Sequence, residues 1–428
     1  MKVLVLDVTH GGDVISLAYA RRGDSVTAVD IYGTSSPEMR ASLEAGNVEF
    51  MESAPDADFD LGIAPIHCPD RYYGKARCAE RISHHLSVGQ LANFPFPVVE
   101  VTGTGGKTST CQLLARILAD RGHRVLLLTS GGLHMVERSG IRVLQENVSI
   151  APSTILKLSG EGHQADVGVF EVSLGGTGLA TVGVITTIGN DYAIAGGTRR
   201  AFDGKSQMIR YARGAVIYPH EEMEVWGPCA EPSVQQMTFG DGGDVNISLS
   251  ELRLGKGTRL RIAQGNDVAE AVLASSYLAP TYMTAFGAAA AAALGLGVPL
   301  DAIADTLSRF RGAPGRGEVH MTENGVLIRE RNPGVSANSI EWGLQALDEY
   351  GCSDVGVVVD PVNAKVCEKL DLADVRKAVD MHPAVRGLYL LAPEGWSGAH
   401  EGFKIIFNTD DVDRKHAVTM WCTKEGYL

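Results

Sequence analysis

The chain has 428 residues, 45% of them hydrophobic, and a formal net charge of −13. That is apolar mass for two or three cores, and an acidic chain with no long basic run excludes bulk attraction to nucleic acid. Its seven cysteines include no CxxC pair and no paired metal-ligand spacing, which excludes a disulfide framework and fits reduced thiols in a cytoplasm.

The chain opens on "KVLVLDV", a strand too short and too soon acidic for a signal peptide. A glycine turn at Gly11-Gly12, a helix through Ala18 to Arg21 and the strand "SVTAVD" follow. This order predicts a Rossmann-type half up to residue 94, although GxGxxG is absent. His10 lies in the turn, where a histidine either approaches a ligand or serves the turn itself. "NFPFPVV" reads as a linker, because proline disfavours both helix and central strand.

Val98, Val99 and Val101 predict a buried strand. Gly103, Thr104, Gly105, Gly106, Lys107, Thr108 and Ser109 follow, then apolar residues at helical spacing, Leu113, Leu114, Ile117 and Leu118. Strand, glycine turn and helix aim backbone N–H groups and a positive helix end at one spot. That spot suits a phosphate chain, with Lys107 as a point charge and Thr108 or Ser109 as a magnesium ligand. The usual longer loop would begin with glycine where Val101 stands, so this loop is a shorter one.

The segment 95–318 continues with strands "RVLLLT", "VGVFEV" and "VGVITTI". Glu171 falls at the carboxyl end of the second, the edge where open parallel sheets bind ligands. Between Ala230 and Gly265, alternating stretches such as "VNISLSELRL" predict a small antiparallel excursion. Residues 271–300 carry no charge but are rich in alanine, which predicts a helix buried in protein rather than a membrane span. "GAPGRGE" marks the exit, and residues 319–428 form a third unit with strands "GVLIRE", "VGVVVD" and "GLYLLAP" separated by helical patterns.

The loop "TGTGGKTS" resembles that of the Mur ligase superfamily, which usually reads TGTNGKT, with Gly105 replacing asparagine. The resemblance implies an α/β fold in a three-domain Mur ligase-like architecture. Its central domain (95–318) is a P-loop parallel sheet, flanked by Rossmann-like N-terminal (1–94) and C-terminal (319–428) domains. It also implies ATP and Mg2+ as cofactors and Glu171 as a metal ligand beside Thr108. Asp191, the Gly197-Thr198 pair and Lys205 fall into a family pattern in which the lysine is often carbamylated; as an ordinary cation it would contact phosphate instead. Tyr192 stands where that family has a metal-binding histidine. Arg316 matches the arginine that reaches the nucleotide phosphates, and it joins Lys107 and Lys205 as catalytic candidates.

Other family segments are altered. "LAPTYMT" replaces the usual G-x-H-N-x-x-N. In "IRERNPGVSAN", Asn332 and Pro333 persist, but Arg329 takes a tyrosine position and Arg331 precedes Asn332. Asn332 is carried over as a nucleotide contact. The segments "LDVTHGG", "GTGGKTST", "EVSLGGTG", "GNDYAIAGGT" and "DPVNAKVCEKLD" are similar to the coenzyme F-430 synthase family of methanogens. That resemblance implies a substrate that is a nickel tetrapyrrole polycarboxylate, the seco-acid precursor. One propionate is phosphorylated by ATP and attacked by a carbon of the same macrocycle, closing a carbocyclic ketone. Arg199, Arg200, Arg329 and Arg331 either pair with its carboxylates or are solvated surface charge, and His10 approaches the macrocycle. Two other readings stay open: a Mur-type amide ligase joining an amino acid to a peptide or folate-like carboxylate, and a nucleotide-binding regulatory protein without catalysis. No nucleic acid or membrane partner is expected.

Overall fold

Strand β1 (Lys2–Leu6) buries every residue after Lys2, as a continuous apolar run does when both faces of a parallel sheet are covered. In the computed structural model, which describes all residues except 190, 333, 361–369, 394–400, 409–411, 413–414 and 425–428, it pairs in parallel with β2 (Ser25–Val29) on one side and β4 (Asp58–Ala64) on the other. With β3 (Val48–Met51) and β5 (Arg77–Ser83) the order is β3-β2-β1-β4-β5. The chain therefore works outward in one direction from β1 and then in the other, which places a topological switch between β1 and β4. Helices α1 (Asp13–Arg21), α2 (Pro37–Ala45) and α3 (His84–Leu91) belong to this half. Pro333 and most of "DPVNAKVCEKLD" lie outside the described residues.

The second sheet is built around β6 (Val98–Thr102), which runs into α4 (Lys107–Asp120). Its other strands are β7 (Val125–Thr129), β8 (Gly132–Glu137), β9 (Gly140–Gln145), β10 (Val167–Glu171), β11 (Val182–Ile185), β14 (Ala215–Pro219) and β15 (Gln235–Phe239). A small pair, β12 (Ala193–Ile194) and β13 (Arg199–Arg200), forms a separate ribbon. The order β15-β14-β11-β6-β10-β7-β8-β9 puts β6 between β11 and β10, all parallel, with β7-β8-β9 turning antiparallel at one edge. Helices α5 (Pro152–Gly160), α6 (Ala201–Tyr211) and α7 (Met223–Trp226) accompany it. The phenylalanines of "NFPFPVV" do not dangle: Phe94 packs with its ring centroid 5.4 Å from Phe170.

The polar stretch is the expected antiparallel excursion only in its last strand. β15 joins β14 in parallel, and β16 (Val245–Ser250) meets β15 in parallel at Val245 and Phe239. The antiparallel hairpin starts within that stretch, β17 (Thr258–Gln264) against β18 (Asp267–Leu273), and runs past its end. Its Gly265-Asn266 turn sets the position, with Gly265 at a φ of +58° that suits a two-residue hairpin. Alternation reports a half-buried strand but not the direction of its neighbour.

The chain packs as two compact units, residues 1–246 with 284–299, and residues 247–283 with 300–428. The uncharged segment forms α8 (Met283–Gly295), in which Ala288 through Ala293 are all fully buried. Alanine gains little by transfer, and its small side chain lets the helix approach its neighbours closely. Among the described residues no helix is long and apolar enough to cross a membrane.

The second unit holds α9 (Leu300–Arg309) and a sheet ordered β19-β20-β24-β21-β22-β23. Its strands are β19 (Glu318–Thr322), β20 (Gly325–Asn332), β21 (Val355–Asp360), β22 (Val385–Leu391), β23 (Lys404–Ile406) and β24 (Val418–Lys424). Among the described residues, β19 and β20 pair antiparallel and the other neighbours run parallel. Helices α10 (Ala337–Glu349) and α11 (Leu372–Asp380) contribute Leu344, Leu347 and Val375 to a core with Val355, Val357 and Met420.

Candidate active site

The glycine loop is strapped to the end of β11 by two threonines. Thr186 Oγ1 donates to the carbonyls of Gly105 and Thr102, and the Thr104 amide donates to the Thr187 carbonyl at 2.9 Å. Gly103 sits at a φ of +148°, and a Cβ there would lie 1.9 Å from Thr186 Oγ1. Both its angle and its space require glycine. Gly106, at a φ of +77°, turns the chain into α4. The Thr186-Thr187 pair was not apparent as part of the loop, because it comes from a strand far along the chain.

Lys107 opens α4 and lays its Nζ 3.0 Å from the Gly103 carbonyl, across the mouth of its own loop. Thr108, next to it, donates to Glu171 Oε2 at 2.9 Å, and the Ser130 amide donates to the same oxygen at 3.1 Å. Ser130 Oγ lies 3.3 Å from Thr108 Oγ1. Of the two hydroxyls open in sequence, Thr108 is the one that meets Glu171. The structure thus brings together a carboxylate and two hydroxyls at the carboxyl edge of β6, β7 and β10, beside a helix N-terminus. Hard oxygen donors of this kind fit magnesium rather than a softer metal.

Lys205 projects from α6 and is 1% exposed. Burial pushes its ammonium down to about 8, Lys107 pushes it the same way by repulsion, and Asp191 opposes both. Among the described residues no carboxylate forms an ion pair with it. Two lysines that repel each other at a phosphate loop are relieved by an anion between them. Tyr192 does not replace the expected imidazole as a ligand would; Lys205 Nζ faces its ring at 5.6 Å from the centroid, a cation–π distance. Asp191 accepts from the Phe202 amide at 2.9 Å, capping α6, and pairs with Arg200.

Lys205→Met is therefore expected to stabilise the fold at pH 7 by about 3 kcal/mol, the cost of a depression from 10.5 to about 8. The sign is set by proton uptake: between those values the unfolded chain binds the proton and the folded chain does not. Wild-type stability rises with pH across that window, so the advantage of the variant is full below 8 and gone above 10.5. Urea unfolding of both proteins at pH 7 and pH 10 measures it; an equal advantage at both would refute the burial argument.

Three buried groups escape the sequence reading. His84 Nε2 lies 3.0 Å from the Leu6 carbonyl and His85 Nε2 lies 2.6 Å from the Ser173 carbonyl. Adjacent residues of α3 thus reach the end of β1 and the turn after Glu171, and burial pushes both imidazoles down to about 4, keeping them neutral. Glu100, in the middle of β6, is fully buried and pushed up to about 7 by loss of solvent, against the donors of Thr177. A lone glutamate among valines carries no pattern that announces a partner in "SLGGTG".

The arginines divide. In the first unit Arg199 pairs with Asp70 at 2.6 Å and donates to the Ile66 carbonyl, and Arg200 is held by Asp191. In the second unit Arg329 and Arg331 are exposed on β20. Arg316 lies in a turn fixed by Tyr282, whose hydroxyl donates to the Arg316 carbonyl and accepts from the Ala313 amide, each at 2.9 Å. Beside it, loss of solvent pushes the Glu330 carboxyl up, and Arg316 holds it back. Asn332 is buried and spends its amide on Gly315, Glu330 and Gly334, bracing that turn.

No protein-family model matches the chain. The coenzyme F(430) synthetase of Methanosarcina acetivorans is 32% identical over 418 residues, covering 88% of this chain and 86% of that protein. The enzyme of the same name from Methanocaldococcus jannaschii is 30% identical over 50% of this chain and 51% of its own. Among solved structures, the MurF ligase of Thermotoga maritima in complex with ADP has a TM-score of 0.61 at 15% identity, covering 93% of this chain and 91% of that one. The last likeness is one of fold: an α/β, multi-domain Mur ligase architecture.

Proposed function

The chain belongs to the coenzyme F(430) synthetase family, and from that premise we propose that it is an ATP-dependent ligase acting on a nickel seco-tetrapyrrole acid. A propionate oxygen of the macrocycle attacks the terminal phosphorus of ATP, and ADP leaves. A ring carbon of the same molecule, having lost its proton, then displaces phosphate from the acyl carbon and closes the carbocycle. A free carboxylate is a poor electrophile, and phosphorylation supplies the leaving group.

The observation that carries this reading is the convergence of Lys107, Lys205 and the Thr108–Glu171 pair on one sheet edge. Phosphoryl transfer needs positioning and charge neutralisation more than covalent help from the protein. Magnesium, held by Thr108 and Glu171, would supply part of that neutralisation. Lys107 supplies a point charge over the loop, the loop amides cradle the phosphates, and Lys205 offers either its ammonium or, since burial favours the neutral amine, a site for carbamylation. Arg316 brings a planar fork suited to phosphate oxygens. In this proposal residues 1–94 hold the macrocycle, 95–318 bind ATP in the cytoplasm, and 319–428 supply the remaining contacts, with Asn332 holding the turn of Arg316. In the same proposal Arg199 and Arg200, beyond their pairs with Asp70 and Asp191, and Arg329 and Arg331 meet the substrate's carboxylates.

Incubation with ATP, magnesium and the nickel seco-acid tests it, with ADP and the visible spectrum followed together. ADP release coupled to a spectral change is expected, without any added amine. Release stimulated by a free amino acid would support an amide ligase instead, and no release with any acid would leave a nucleotide-binding regulator.

A further inference from the structure

The first sheet carries a group of side chains that the phosphate site does not use. It lies where β1 and β4 end and the chain departs in opposite directions, the place where open α/β sheets form a crevice. The turn after β1 supplies Asp7 and His10, and the turn after β4 supplies His67. One possible ligand atom from each of the three lies within 4.8 Å of the others.

Asp7 is buried and its backbone is held at a φ of +65°. That angle is uncommon for a residue with a side chain, and such strain gathers at functional sites. Asp7 Oδ1 accepts from Thr9 Oγ1 at 2.9 Å and from the His10 amide at 3.2 Å, while Oδ2 faces His10 Nδ1 at 2.7 Å. A carboxylate there accepts a hydrogen bond from Nδ1–H and leaves the lone pair on Nε2. The His10 side chain is 58% exposed, so that lone pair is presented outward. This is how a metal-binding imidazole is oriented by a carboxylate behind it. A histidine serving only the turn would have no need of an exposed acceptor nitrogen.

The surroundings suit a flat, anionic ring. His67 stands edge-on to His10 with centroids 5.7 Å apart, and Tyr32 does so from another side at 5.8 Å. Tyr72 continues the aromatic wall 5.6 Å from Tyr32, with the Arg71 guanidinium over its ring at 5.0 Å. Arg199 reaches the same loop, bound to the Ile66 carbonyl and to Asp70.

We propose that this cluster binds the substrate's nickel, with His10 Nε2 as an axial ligand, His67 lining the same face of the macrocycle, and Asp7 as the positioning residue. The inference rests on the tetrapyrrole reading above and names where that substrate is held. Four ring nitrogens fill the equatorial positions of the metal, and imidazole nitrogen is a ligand nickel accepts. The new bond is dative: Nε2 donates its pair, the proton stays on Nδ1 in its hydrogen bond to Asp7, and nothing is oxidised. Tyr32 and Tyr72 flank the macrocycle, and Arg71 and Arg199 meet its carboxylates.

The test uses the full chain with the nickel seco-acid and no ATP, reading nickel X-ray absorption and the visible spectrum. The wild type is expected to add an axial nitrogen that His10→Ala loses, with affinity for the seco-acid falling on the order of tenfold to a hundredfold. Asp7→Asn should keep the nitrogen but weaken it, which a purely structural aspartate would not do. The metal-free macrocycle should bind wild type and His10→Ala alike. A seco-acid that binds wild type and His10→Ala equally, or shows no axial nitrogen, overturns the proposal. So does nickel chloride alone binding through His10 and His67 while the macrocycle's nickel gains no ligand, since the cluster would then serve a free ion. ADP binding by calorimetry in each variant separates the two readings. Intact ADP binding with seco-acid bound but not ligated removes only this inference, whereas no seco-acid binding by any form removes the substrate reading with it.

Discussion

Lys107→Ala is expected to lower the rate of ADP release by about three orders of magnitude, the scale set by removing one preorganised charge from a transition state, while the fold survives. The lysine stands on the first turn of α4, and its ammonium donates to a carbonyl of its own loop. Losing that bond in a half-buried setting costs little. Removing Lys107 also relieves Lys205 of a repulsion, so the stability of the variant should equal or exceed that of wild type. Single-turnover ADP formation and urea unfolding, measured on the same preparations, separate these effects. Unchanged turnover in a folded variant would remove the phosphate loop from the mechanism.

Gly89→Ala should destabilise the first unit by about 3 kcal/mol, the upper range for a forced overpacking. An added Cβ on α3 would lie 1.8 Å from the Thr177 carbonyl oxygen and 2.9 Å from its carbon. Thr177 cannot step back without loss, because its amide and hydroxyl both donate to Glu100. The defect should therefore depend on pH. Glu100 has a folded value near 7 against 4.5 for an unburied carboxyl, so wild-type stability falls as pH rises through that interval and levels above it. Without the two Thr177 donors the carboxylate loses its support, and the penalty of the variant grows above pH 7. Urea unfolding at pH 6 and pH 8 reads the difference; a loss under 1 kcal/mol would mean that helix and loop separate freely.

The parts of the site that were legible are those the chain makes locally. Gly103 to Thr108 are contiguous, and the strand before and helix after them follow from valines and from Leu113, Leu114, Ile117 and Leu118 at helical spacing. Glu171 was legible as a strand end, and its meeting with Thr108 follows from β10 lying beside β6 in parallel register. Pairings made by the sheet order were not legible. Asp7 and His67 meet only because β4 lies beside β1, and His84 and His85 face two different sheets from one helix. Charge was read in type but not in partner: Arg199 and Arg200 already hold Asp70 and Asp191. The parallel pairings of β15 were not legible, since alternation is blind to whether a neighbour runs parallel.

The placement of α8 has a consequence for how this polypeptide comes into being. Residues 284–299 complete the first unit, yet 247–283 on one side and 300–428 on the other belong to the second. A ribosome must therefore release some three hundred residues before the earlier half can close over its alanine-rich rod, and by then the later half has already begun. No single proteolytic cut, and no truncation at one point, yields either half free of residues that belong to the other.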